Sequence, residues 1–479
     1  MGSNKIFSNL MWKFSERILA QGVTFVVTLC LARLLMPKDY GVVALALIVI
    51  NIAEVFTVAG FGNALIQKKD ADDLDFSSVF YFNIFFSVIL YFLIFISAPL
   101  ISGFFDNPEL SKVIRVLAVR VPVAAVNSVQ QAYVSRNMMF KRFFWSTFFG
   151  TILSGIIGIF MAFKGYGVWA LVAQYLINAV VDTIVLWITV HWRPKLVYSF
   201  DRVKTMFSYG WKLMVAGVID EACIEIRNIF IGKIYTTEDL AYYTNGNLYP
   251  QAITSGINTT ISSVLFPTLS KEQDDAARVK SMTRRAVSIS SYIMWPVMLG
   301  MAAVAPCFVK TVLSDKWLPC VPYIQIACIT YGFWPIHTSN LEAMKSVGRS
   351  DWFLKLEIIK DILGITVLLC VVNKGVMAIA ISAVFTSLIC CFINAYPNWK
   401  LINYTYTEQI KDMLPSLIKS LIMGAAVYAI NYIKLNGIII LCIQVIVGIM
   451  IYIGLSLITK DNNYHYLLNV IKKGRKKNE

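Results

Sequence analysis

The chain has 479 residues, 57% hydrophobic and 15% charged, with a mean hydropathy of +0.65, which excludes an ordinary soluble domain and leaves an integral membrane protein. Its formal charge of +15 would suggest nucleic acid in a soluble chain. Here the cations sit in the connectors between apolar runs and in the terminal cluster Lys472, Lys473, Arg475, Lys476 and Lys477, so no nucleic-acid partner is expected.

Apolar stretches of about 20 residues, enough to cross about 30 Å of hydrocarbon, recur along nearly the whole chain. They predict spans over 9–34, 40–66, 76–102, 110–135, 143–163, 167–190, 207–234, 239–267, 286–313, 320–345, 352–373, 375–398, 411–433 and 437–459. The expected fold class is all-α integral membrane, with about fourteen transmembrane helices. Lys and Arg concentrate in the N-terminal segment, the even-numbered loops and the tail, which predicts that both termini are cytoplasmic.

An internal echo recurs at about 200 residues. Trp12-Lys13 opens the first span and Trp211-Lys212 the seventh. Asp39-Tyr40-Gly41 returns as Asp239-Leu240-Ala241, and Gly167-Val168-Trp169-Ala170 as Gly375-Val376-Met377-Ala378. The agreement in order predicts an N-lobe over 1–200, a C-lobe over 201–402, two appended helices over 403–460 and a basic cytoplasmic tail over 461–479. Because six spans preserve orientation, two six-helix lobes would be related by a pseudo-two-fold axis along the membrane normal.

Polar residues inside spans are costly in hydrocarbon and turn toward the bundle interior or a wet cavity. Lys13, Arg17, Gln21, Thr24 and Thr28 share one face of the first span, and Arg120, Asn127 and Gln131 share a face of the fourth. Lys212, Asp220 and Arg227 fall together on the seventh. The eighth carries Thr244, Asn247, Gln251, Thr254, Asn258 and Ser262. These stripes predict a hydrophilic, cation-rich lumen; the alternative is polar helix-to-helix contact, with Lys13 and Lys212 snorkelling to the interface. Arg17, Arg120 and Arg227 either touch substrate or pair with Glu16, Glu54 or Asp220.

Among the acids Glu54, Asp182, Asp220, Glu221, Glu225, Glu342 and Asp361, Glu54 and Asp220 are the candidates for coupling transport to H+ or Na+; no other cofactor is expected. Cys residues lack metal or disulfide spacing and read as small core hydrophobes. His191, His337 and His465 are too dispersed to hold a metal, and His337 reads as a hydrogen-bonded core residue.

Five segments together resemble the Wzx-type polysaccharide flippases, in the branch with the colanic-acid and teichuronic-acid exporters of the multidrug/oligosaccharidyl-lipid/polysaccharide (MOP) superfamily. They are Arg33-Leu34-Leu35-Met36-Pro37-Lys38-Asp39-Tyr40-Gly41, Ala64-Leu65-Ile66-Gln67-Lys68-Lys69, Ser135-Arg136-Asn137-Met138-Met139-Phe140-Lys141, Gly165-Tyr166-Gly167-Val168-Trp169-Ala170-Leu171 and Ala343-Met344-Lys345-Ser346-Val347-Gly348-Arg349-Ser350-Asp351. Locally, Pro37 and Gly41 are expected to bracket a tight turn, and Arg136, Lys141 and Arg142 to face lipid headgroups.

The resemblance implies a transporter that carries an undecaprenyl-pyrophosphate-linked oligosaccharide across a bacterial inner membrane for surface-polysaccharide synthesis. Its partners would be that lipid-linked substrate, membrane lipids and the polysaccharide polymerase machinery, with the chain acting as a monomer. Rival readings are a multi-span polymerase or ligase enzyme, for which no catalytic constellation stands out, and a MATE-like small-molecule exporter, which a cation-rich lumen disfavours.

Overall fold

The computed structural model describes residues 22–475, apart from 59, 60, 69, 138, 140 and 434. Among the described residues all regular structure is helical, and nine helices are long and apolar enough to cross a membrane. The chain forms two compact units that divide between Ala241 and Tyr242.

The first unit holds α1 (Gly22–Leu34), α2 (Pro37–Val58), α3 (Phe61–Gln67), α4 (Asp73–Phe104), α5 (Pro108–Leu117), α6 (Arg120–Arg136), α7 (Lys141–Phe163), α8 (Val168–Thr189) and α9 (Phe200–Ile234). In it α2 packs against α5, α6, α8 and α9, while α7 lies along α8. A helix apolar on all sides suits such a central place, and half of the apolar stretch of α2 is buried. The close pairing of α7 with α8 rests on small side chains. Ser146, Gly150, Ser154, Gly158 and Ala162 recur every fourth residue and are all buried. A Cβ at Gly150 would stand 3.3 Å from the Asn178 carbonyl oxygen, and one at Gly158 3.2 Å from Gln174 Cβ. Lipid tails are as apolar as leucine, so helices associate by packing rather than by escape from water, and small residues permit that approach.

The second unit begins within α10 (Thr237–Lys271) and continues through α11 (Ala276–Phe308), α12 (Val321–Gly332), α13 (Trp334–Ser346), α14 (Ser350–Val371), α15 (Val376–Ile402), α16 (Tyr406–Ala429), α17 (Gly437–Ile458) and α18 (Asn462–Arg475). Here α11 is central, touching α12, α13, α16 and α17. Trp295 of α11 is 2% exposed and lies on Gly332, where a Cβ would come within 2.5 Å of its ring.

From residue 40 onward each predicted span coincides with one helix or two consecutive ones, but several helices begin earlier than hydropathy suggests. The seventh starts at Phe200 rather than 207 and the ninth at Ala276 rather than 286. Hydropathy marks the edge of hydrocarbon, whereas a helix continues into water for as long as its first amides are capped. Ser199 accepts from the Arg202 amide, and Asp275 from those of Ala277 and Arg278. At the start of α4, outside the membrane, Asp72 accepts the Asp75 amide at 2.9 Å, which holds its carboxyl below the usual carboxylate range. The segment expected as a basic tail contains the amphipathic helix α18.

The repeated motifs share local geometry. The Asp39 carboxylate accepts the Met36 amide at 3.0 Å, three residues back, and Asp239 accepts the Thr236 amide at 3.3 Å in the same way. Gly167 and Gly375, which precede α8 and α15, adopt φ of +53° and +103°. The expected turn bracketed by Pro37 and Gly41 is instead the first turn of α2, with Pro37 as its first residue. Gly41 lies inside the helix because the Thr237 backbone crosses it: a Cβ there would stand 1.9 Å from the Thr237 carbonyl oxygen. Gly41→Ala is therefore expected to destabilise the protein by about 2 kcal/mol or more. Gly103→Ala, which meets nothing within 4 Å, should cost far less. Thermal unfolding in detergent compares the two.

Candidate functional site

Four helices of the first unit turn ionisable and amide side chains toward one another. Glu54 near the end of α2 and Arg120 at the start of α6 form an ion pair at 3.1 Å, with side chains 20% and 18% exposed. The Arg120 guanidinium also lies over the ring of Tyr175 on α8, 5.7 Å from its centroid. Arg120 thus pairs with Glu54, one of the partners its position allowed.

A second group surrounds Glu225 of α9, which is buried. Asn51, one turn before Glu54, donates its Nδ2 to Glu225 Oε1 at 3.3 Å, and Asn228 donates to Oε2 at 2.7 Å. Glu221, one turn earlier on α9, brings a like charge near Glu54. A third group joins α6 to α8, where Asn127 Nδ2 donates to Asp182 Oδ2 at 2.7 Å while its own Oδ1 is buried without a partner among the described residues. Ser146 of α7, whose hydroxyl donates to the Phe143 carbonyl at 3.1 Å, is buried close by.

The predicted residues distribute unevenly over these groups. Arg120, Asn127 and Glu54 come together as described, and Gln131 is half-buried further along α6. Arg227 of α9 is half-buried, with its Nε unpartnered among the described residues. Asp220 is exposed on the same helix, which also contains Lys212. Arg17 and Gln21, with Lys13, lie outside the described residues. Asn51, Asn228 and Tyr175 were not singled out in sequence. The first two were findable, since Asn51 sits one turn from Glu54 and Asn228 one turn from Glu225; Tyr175, across the bundle, carried no such signal. The groups brought together are Arg120 with Glu54 and Glu221, Glu225 with Asn51 and Asn228, and Asp182 with Asn127, so carboxylates outnumber guanidiniums among them.

In the second unit the α10 stripe divides. Thr254 is fully buried, donates to the Pro250 carbonyl at 2.8 Å and contacts the sulfurs of Met294 and Met298. Asn258 is buried with its Oδ1 unpartnered among the described residues. Asn247 donates to the Tyr243 carbonyl at 2.8 Å, and Gln251 is exposed. His337 is the hydrogen-bonded residue expected: Asn394 Nδ2 lies 2.9 Å from its Nδ1 and Ser387 Oγ 3.2 Å from its Nε2.

Removing one partner of a sequestered ion pair leaves the other charge uncompensated. Arg120→Met and Glu54→Gln are each expected to destabilise by about 2–3 kcal/mol, and the double variant by less than the sum of the two. Thermal unfolding of the three variants gives the coupling energy, and strict additivity would mean that the pair is not formed.

Comparison with known proteins places this chain in a family. The family model described as "Polysaccharide biosynthesis protein" matches residues 30–322. The succinoglycan biosynthesis transport protein ExoT of Rhizobium meliloti (strain 1021) is 21% identical, covering 98% of this chain and 97% of its own. The lipopolysaccharide biosynthesis protein WzxC of Escherichia coli (strain K12) is 22% identical over 88% of this chain and 84% of its own. Among solved structures, the lipid II flippase MurJ in an inward closed conformation superposes with a TM-score of 0.77 at 16% identity, covering 95% of this chain and 99% of that one, so the fold is shared. The chain therefore belongs to the polysaccharide biosynthesis protein family and is a multi-span membrane protein whose described regular structure is all helical.

Proposed function

We propose that this protein is a flippase that carries an undecaprenyl-pyrophosphate-linked oligosaccharide from the cytoplasmic to the outer leaflet of a bacterial inner membrane by alternating access. It would be a transporter rather than an enzyme, with about fourteen spans, lobes over 1–200 and 201–402, two further helices and both termini cytoplasmic. The observation that carries the reading is the family match on a chain whose apolar helices hold ionisable and amide side chains facing one another.

The pyrophosphate and sugars of such a substrate would lose their hydration in the bilayer centre, whereas the polyprenyl tail can remain in lipid. A polar path supplies substitute hydrogen bonds. In this reading Arg17, Arg120, Lys212 and Arg227 hold the pyrophosphate, and Gln21, Asn127, Gln131, Asn247, Gln251 and Asn258 bind sugar hydroxyls. The Glu54–Arg120 pair suggests how coupling works. When Arg120 turns to a phosphate it leaves Glu54 without a counter-charge, which H+ or Na+ then supplies, with Asp220 as a second acceptor.

Proteoliposomes loaded with an accessible undecaprenyl-pyrophosphate oligosaccharide test the proposal. The protein should translocate it faster than empty vesicles do, and Arg120→Ala and Arg227→Ala should each slow transport by about tenfold or more. Glu54→Gln together with Asp220→Asn should abolish its dependence on the ion gradient. Translocation no faster than in empty vesicles overturns the assignment. A reporter fused after Glu479 should be cytoplasmic.

A further inference from the structure

At one membrane boundary of the second unit lies a cavity of about 260 Å³ lined by Arg284, Arg285, Ser288, Asp412, Asn462, Asn463 and Tyr466. Three chain segments fix its level. The apolar part of α11 begins just after Arg285, that of α16 just after Asp412, and α17 ends at Ile458 shortly before Asn462. The cavity therefore sits at the level where the apolar parts of these helices end.

Most charges here are already matched. Arg284 donates to both Asp412 oxygens, at 2.8 and 2.7 Å, Lys280 holds Glu408 at 2.9 Å, and Lys419 pairs with Asp461 where α18 begins. Ser288 and Asn463 tie α11 to α18, with Asn463 Nδ2 2.9 Å from Ser288 Oγ. Arg285 differs. Its guanidinium stacks on the Tyr466 ring, 3.7 Å from the centroid, and has no carboxylate partner among the described residues. Stacking occupies the face of a guanidinium and orients it while leaving its in-plane N–H donors free, the arrangement that suits bidentate binding of a phosphate.

We propose that this cavity binds the phosphate headgroup of an anionic phospholipid from the surrounding bilayer. Arg285 supplies the charge, the Asn462 amide supplies a neutral donor, and the lipid's acyl chains run into the adjoining hydrocarbon. A bound lipid would fasten α18, itself an amphipathic helix of the kind that lies in the interface, to the body of the unit.

Native mass spectrometry of the full-length protein titrated with phosphatidylglycerol or phosphatidylcholine tests this. Wild type should retain phosphatidylglycerol selectively, and Arg285→Gln should weaken that retention about tenfold. Tyr466→Leu should weaken it too, whereas Tyr466→Phe, which keeps the ring, should not. Lys374→Gln, an exposed cation elsewhere on the unit, should bind as wild type does. Three results would overturn the proposal: unchanged retention in Arg285→Gln, displacement of the lipid by inorganic phosphate at equal concentration, or selective retention of the lipid-linked oligosaccharide alone.

Discussion

A polar group in hydrocarbon has no water to hydrogen-bond with, and that constraint organises this molecule. It acts first on the backbone, where the last carbonyls of each helix need donors from elsewhere. Arg136 donates to the Leu65 carbonyl at 2.7 Å and also to that of Lys68, joining the end of α6 to the end of α3. Arg142 donates to the Thr189 carbonyl at the end of α8, and Arg193 to those of Val190 and Trp192 just beyond it. Residues that look in sequence like headgroup-facing cations thus also close helix ends, which explains why arginine, with its several donors, stands at these positions.

The same constraint acts on side chains, and both units meet it with partners across helices. In the first, charged groups pair across helices, as Glu54 does with Arg120. The second unit joins a still more buried ion pair, Lys419 with Asp461, to a chain of neutral amides: Asn340 donates to Gln409 at 2.9 Å, and Asn398 donates to Asn340 at 2.8 Å, all of them buried. A neutral network costs less to desolvate than an ion pair and gives less reason to rearrange.

Much of the candidate site was legible because cost is legible. A charge amid twenty apolar residues is conspicuous, so Glu54, Arg120 and Asn127 could be named without coordinates. Their partners were harder to fix: across a separation of 66 positions, pairing of Arg120 with Glu54 stayed one alternative to substrate contact. On α10 a helical stripe of polar residues could be a lumen or a packing face with equal sequence signal, and the structure sends Thr254 into the packing while leaving Gln251 exposed.

What the sequence determined alone were local properties: the order and length of the apolar segments, the capping residues and the glycines with positive φ. Each depends on transfer energy or backbone sterics within a few residues. The fourfold spacing of small residues on α7 belongs with them, since one helix face is enough to read it. Tertiary structure decided which groups neutralise each other, that Gly41 is required by the crossing Thr237 backbone rather than by a turn, and that Arg285 meets Tyr466 on a helix 180 residues further along. Those outcomes depend on how helices distant in sequence pack, and in a bilayer that packing rests on close contact and hydrogen bonds between particular surfaces, which no local pattern encodes.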